Sequence, residues 1–228
     1  LEISTERYYV INTATVPTLL RTDVDLNADS NPDEIELAWN YLQGAESYDV
    51  EWLFMDAGSQ SVSTTNFAYD FKNAVRVNVP TQHYNITLAY PKGVLLYRIR
   101  GVGTDQANFV LGNGLTRKEG AWSTTVPESG FLTTNSVTGN AVRYNVTTGL
   151  HENLNWSYSI GFAEDGKKGE SFSIADATLK PRQSIGKVNS DNTMVAGESR
   201  YDHEGRPAMS IMPSPLENKG FHYYPGIA

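Results

Sequence analysis

The chain's 228 residues suffice for one large or two small domains, each with a core of its own. A formal charge of -8 and a pI near 5, with no run of Lys or Arg, argue against nucleic-acid partners, whose phosphates need a basic face. The absence of cysteine excludes disulfides, thiol catalysis and thiolate metal sites, and no apolar run is long enough for a membrane-spanning helix.

Tyr, Val, Thr and Ser are frequent, Gly and Pro fall at intervals, and no long amphipathic helical stretch occurs, so the expected class is all-β. Residues 1–15 read as a lead-in. Their start, LEISTERYYV, lacks the shape of a signal peptide and suggests an internal piece of a longer polypeptide. From 16 to 126 the pattern is strands and turns. EIELAWNY (34–41) alternates, with Ile35, Leu37 and Trp39 facing one way. After the LQGAE turn, SYDVEWLFM sets Tyr48, Val50, Trp52 and Phe54 at period two. Residues 56–73 read as a longer loop or extra edge strand around Phe67, Tyr69 and Phe71. AVRVNVP and HYNITLAY alternate again, GVLLYRIRGVG points Leu95, Tyr97 and Ile99 inward, and GAWSTTV is expected to close the set. Seven strands in this span predict a sandwich.

The Ser-, Thr-, Asn- and Gly-rich stretch 127–152 reads as a linker with one short strand near 141–146. From 153 to 228 strands resume: NLNWSYSIGFA, ESFSIADA, IGKV, TMVAGESRYD and PAMSIM. Turns at EDGKKG, LKPRQ, NSDN and HEGR separate them, which predicts an antiparallel meander. In Tyr201-Asp202-His203-Glu204-Gly205-Arg206, the Tyr ends one strand and packs inward. The Asp bonds the turn amides, Gly205 takes a positive φ, and Arg206 begins the return strand.

The 16–126 region resembles a fibronectin type III domain through Trp39, the Gly44-Ala45-Glu46-Ser47-Tyr48 entry, Leu88, the Tyr97-Arg98-Ile99-Arg100 run and Gly120-Ala121-Trp122-Ser123. The resemblance makes Tyr97 a tyrosine corner whose hydroxyl closes on nearby backbone. The Tyr201-Asp202-x-x-Gly205-Arg206 core, with the strands before it, resembles the entry to the shell of Rhs/YD-repeat proteins. That resemblance implies a two-part all-β fold, a fibronectin-like sandwich followed by an incomplete YD-repeat β-shell. It further implies a non-catalytic, secreted or cell-surface bacterial segment that forms, seals or anchors a shell around a C-terminal effector. Its partners would be the rest of the same polypeptide, and it would need no cofactor.

Three rival chemistries arise. DVDLNADSNPDE offers Asp23, Asp25, Asn27, Asp29 and Glu34 at calcium-loop spacing, but Ala28 stands where that loop needs Gly and Pro32 is foreign to a following helix. The histidines at 83, 151, 203 and 222 lack metal-ligand spacing, and Asp202, His203 and Glu204 point different ways along a turn. Trp52, Phe54, Trp122, Trp156 and Tyr158 suit either core packing or a sugar-stacking platform, which makes an adhesion or carbohydrate-binding module the alternative reading.

Overall fold

The computed structural model describes residues 9–26, 28, 30–62, 66–88, 90, 92–105, 115–133, 140–145, 154–188, 193–217 and 220–227. Among the described residues there are fifteen strands and no α-helix, so the all-β class holds. The chain divides into two compact units, the first made of Leu1–Thr22, Glu36–Ile86 and Lys92–Arg143. The second is Asp23–Ile35, Thr87–Pro91 and Tyr144–Ala228.

The sandwich region carries β1 (Leu19–Val24), β2 (Glu34–Trp39), β3 (Ser47–Asp56), β4 (Phe67–Asp70), β5 (Val75–Val79) and β6 (His83–Thr87). These are followed by β7 (Lys92–Asp105), β8 (Thr116–Glu119), β9 (Ser129–Leu132) and β10 (Ala141–Asn145). They form a β1-β2-β6 sheet, a β10-β7-β3-β5 sheet with β8 also on β7, and a β4-β9 pair. Aromatic contacts join the first two sheets in a sandwich-like core. Trp39 meets Tyr48 edge-on at 5.4 Å between ring centres, and Trp52 meets Tyr84 at 5.4 Å. Leu95, Tyr97 and Ile99 are buried as their spacing required.

Two local readings are corrected. GAWSTTV is not a strand; closure comes from β8, which pairs Thr116–Glu119 with Asp105–Val102 of β7. The 120–126 stretch runs beside β7 through the Gly120 and Ser123 amides, which donate to Gly101 O and Ile99 O at 2.8 Å each. The linker holds the expected short strand as β10, which pairs with β7, and a second strand, β9, which was not expected and pairs with β4. A short segment such as 67–70 cannot be told from loop by periodicity alone; pairing with Ser129–Leu132 makes it a strand.

The opposite face of β3 and β7 is also buried, which alternation did not foresee. Cross-strand pairs there run Met55–Val94, Leu53–Leu96, Glu51–Arg98 and Asp49–Arg100, passing from apolar to ionic. Arg98 donates to Glu51 Oε2 at 2.5 Å and to both Glu128 oxygens at 2.9 Å. Its guanidinium carbon lies 3.8 Å from the Phe71 ring centre and 4.2 Å from that of Trp122. Asp49 accepts from Asn78 at 2.9 Å, Arg100 at 2.9 Å and Arg117 at 2.6 Å, while Arg76 closes the remaining side of Glu51. At the other end, Ile11 of the lead-in fills a notch beside Gly44 and Gly101. A Cβ at Gly101 would come within 2.7 Å of the Ile11 Cδ1 atom, so only glycine admits the side chain.

The second unit contains β11 (Asn155–Phe162), β12 (Lys168–Ala175), β13 (Pro181–Val188), β14 (Thr193–Tyr201) and β15 (Pro207–Pro215). They lie in sequential order, each antiparallel to the next, which is the expected meander. Its inner face buries Phe172, Ile174, Ile185, Met194 and Ala196. The chain after β15 folds back over that face with Leu216, Phe221, Tyr223, Tyr224 and Ile227. The buried Gln183 amide fixes it there, donating to Tyr224 O and accepting from Tyr224 N, both at 2.9 Å.

Because Glu51 is 2% exposed at its side chain, removing Arg98 leaves its Oε2 buried without a cation, although Arg76 still pairs Oε1. Arg98→Ala is expected to lower the stability of the first unit by about 3–5 kcal/mol in chemical denaturation. A loss under about 1 kcal/mol would show that the ladder is not a structural core.

Candidate functional site at one end of the meander

The hairpin turns β12–β13 and β14–β15 lie at the same end of the sheet. In the second, the Asp202 amide donates to Arg206 O and the Gly205 amide to Asp202 O, both at 2.9 Å. Asp202 Oδ1 accepts from the Glu204 and Arg206 amides at 2.9 Å each, and Gly205 has φ +76°. This is a three-residue hairpin loop, His203–Gly205, whose last position, the fourth counted from Asp202, must be left-handed. The residue chemistry read from Asp202 and Gly205 therefore matches their geometry.

Two assignments in this turn change. Tyr201 is only half-buried and does not enter the core; its hydroxyl donates to Pro181 O at 3.0 Å, spanning the two hairpins. Arg206 precedes β15 and belongs to the turn, where it donates to Asp202 Oδ2 at 2.8 Å and pairs with Glu204 Oε2 at 2.6 Å.

The first turn, Asp176-Ala177-Thr178-Leu179-Lys180, repeats this geometry bond for bond. The Asp176 amide donates to Lys180 O at 3.0 Å and the Leu179 amide to Asp176 O at 2.9 Å. Asp176 Oδ1 accepts from the Thr178 and Lys180 amides at 2.8 and 3.1 Å. Leu179 takes the left-handed place of Gly205, at φ +64°, with 72% of its surface exposed. The two turns are tied: Lys180 Nζ donates to Gly205 O at 2.6 Å and lies 5.4 Å from the Tyr201 ring centre. Sequence reading missed this copy because Leu replaces the Gly and Ala175 the Tyr. The surviving signal is an Asp followed four residues later by a basic residue.

Both aspartates have carboxyl groups held below the ordinary range. For Asp202 the main cause is the Arg206 amide, then its guanidinium; for Asp176 it is the Thr178 hydroxyl, then the Lys180 amide. These carboxylates are occupied as turn acceptors. His203 is exposed and sits 3.8 Å from Glu204, so the Asp202-His203-Glu204 trio converges on no reacting atom.

The remaining candidates are dispersed. Trp39, Tyr48 and Tyr97 are buried in the sandwich; Tyr48 accepts the Leu42 amide at its hydroxyl, 3.0 Å away, a closure of the kind expected of Tyr97. In the acidic loop, Asp25 accepts the Ser30 amide and Asp33 the Leu26 amide, both at 2.8 Å, while Asn27 and Asp29 lie outside the described residues. Glu34, required as the last calcium ligand, is instead buried and takes a hydrogen bond from Lys187 Nζ at 2.6 Å. Ala28 nevertheless adopts the positive φ, +63°, that a calcium loop assigns to Gly. Among the described residues no three His, Asp or Glu side chains could share a metal ion, and His151 lies outside them. No protein-family model matches the chain, and no curated protein matches it.

Two outcomes follow for the turns. Leu179→Gly removes left-handed strain from an exposed side chain and is expected to raise stability by about 1 kcal/mol, whereas Gly205→Ala lowers it by about 1–2 kcal/mol. Equal thermal midpoints for both variants and the parent would refute the shared geometry. Since the folded-state carboxyls are depressed, their stabilisation is complete above the unfolded Asp range and disappears as pH falls through the lowered values. Asp202→Asn should therefore flatten the acid limb of an unfolding profile of stability against pH, and an unchanged limb would contradict the assignment.

Proposed function

We propose that the chain is a non-catalytic structural segment of a large secreted or cell-surface protein of the Rhs/YD-repeat type. Its role is to help form, seal or anchor a β-shell that encloses or presents a C-terminal effector. The reading is supported by one observation above others: the same Asp-centred turn is made twice at one end of a sequential five-stranded sheet. A unit of two strands and one such turn, repeated, extends a sheet without adding helices or long connections. Of the residues of the turn that look catalytic, Asp202 accepts the turn amides and Glu204 pairs with Arg206, while His203 is exposed.

The carbohydrate-binding alternative gains no support from the aromatic side chains that suggested it. Trp52 is buried against Tyr84, Trp156 stacks on Phe172 at 5.5 Å, and Trp122 covers Arg98 and Arg100. Cryo-electron microscopy of the full-length gene product tests the proposal. A hollow β-shell continuous with the five-stranded sheet is the expected result. A compact catalytic domain with the segment as a stalk would overturn it.

A further inference from the structure

Among its described residues, the second unit buries two whole ion pairs on one face. Lys187 of β13 donates to Glu34 at 2.6 Å, with side chains 3% and 2% exposed, and Lys168 of β12 lies 3.0 Å from Glu170 Oε2, with side chains 8% and 0% exposed. Glu170 is the direct cross-strand partner of Lys187, which brings their Cβ atoms to within about 5.5 Å on the same face. Glu170 Oε1 accepts from Thr87 Oγ1 and from the Tyr158 hydroxyl, both at 2.5 Å. Its Oε2 faces the Lys168 ammonium at 3.0 Å.

A buried ion pair carries a large desolvation cost that mutual attraction barely offsets. Joining the two groups as an amide removes both charges from the dry interior and releases water. Three conditions favour that reaction at Lys187 and Glu34. The reacting groups are held in contact by separate strands, so no translational or rotational freedom remains to be lost. Water, which would reverse the reaction, is excluded from both side chains. A second carboxylate, Glu170, is the cross-strand neighbour of Lys187 on the same face, which places it to carry protons.

We propose that Lys187 and Glu34 condense to an isopeptide bond, with Glu170 as proton relay. The Lys187 nitrogen attacks the Glu34 carboxyl carbon, a C–N bond forms, and one C–O bond breaks. The ammonium gives up two protons, which Glu170 passes in turn to the departing oxygen, so that ammonium plus carboxylate become amide plus one water. No oxidant, reductant or cofactor enters the balance. The bond joins positions 153 residues apart and ties Asp23–Ile35 covalently to β13. In a chain with no cysteine it takes the place that a disulfide would have as a covalent staple.

Mass spectrometry of the intact, denatured 228-residue chain decides the matter. The expected mass is below the sequence mass by one water, and trypsin should release a branched product joining the Glu34 and Lys187 peptides. Lys187→Arg and Glu34→Ala should each restore the full mass. Glu170→Gln, which leaves both reacting groups in place, should restore it too; a deficit that persists there overturns the relay. A parent chain at its full sequence mass overturns the bond itself, as does a deficit that survives in Lys187→Arg. Sequencing of the branched product by tandem fragmentation identifies the linked residues whether or not the variants fold.

Discussion

Charge buried on a sheet face must be neutralised where it lies, and much of this architecture is arranged around that requirement. On β3 and β7 the carboxylates of Asp49 and Glu51 face Arg100 and Arg98 across the strand pair. Those two pairs alone would leave one side of the ladder open to water. Arg117 from β8, Arg76 from β5 and Glu128 ahead of β9 complete it, while Trp122 lies over the guanidinium groups. The path of the 116–128 segment is thus set by the charges beneath it. Arginine suits this position because its planar fork binds carboxylates on its edge and aromatic rings on its faces.

The second unit meets the same requirement with lysine. Lys168 is buried, and burial lowers its pKa against the opposing pull of Glu170; Glu170 is itself held low because Lys168, Thr87 and Tyr158 outweigh its desolvation. Glu34 and Thr87 bring Asp23–Ile35 and Thr87–Pro91 into this unit, although both come from the stretch that the sequence assigns to the sandwich. An ammonium makes fewer directional demands than a guanidinium but remains a potential nucleophile once it loses a proton. The chemistry open to the two units therefore differs, even though both bury balanced charge.

The paired turns show how one local solution serves different sequences. What the geometry requires is an acceptor at the first position and a left-handed residue at the fourth. Gly205 supplies the second at no steric penalty, and Leu179 supplies it under strain that the surrounding bonds from Asp176 hold in place. Lys180 then uses its length to join one turn to the next. Cohesion at this end of the sheet comes from main-chain carbonyls and side-chain donors, with little apolar burial.

Alternation along single strands was enough to place Ile35, Leu37 and Trp39, Tyr48, Val50 and Trp52, and Leu95, Tyr97 and Ile99 inside, since period two forces such residues to one face. The order of the meander was equally legible, because its connections are short and carry turn residues with local preferences. The burial of Asp49, Glu51, Glu34 and Glu170 was not, because period two says which residues share a face and not whether another segment covers it. Likewise β4 and β9 are strands only because each has the other, and the Asp176 turn is visible only through its bonds. By itself the sequence determined the class, the strand faces and the local turn at Asp202. Tertiary structure decided which faces were covered, where the units divide and which charges meet, because those depend on segments up to 153 positions apart whose proximity no local pattern records.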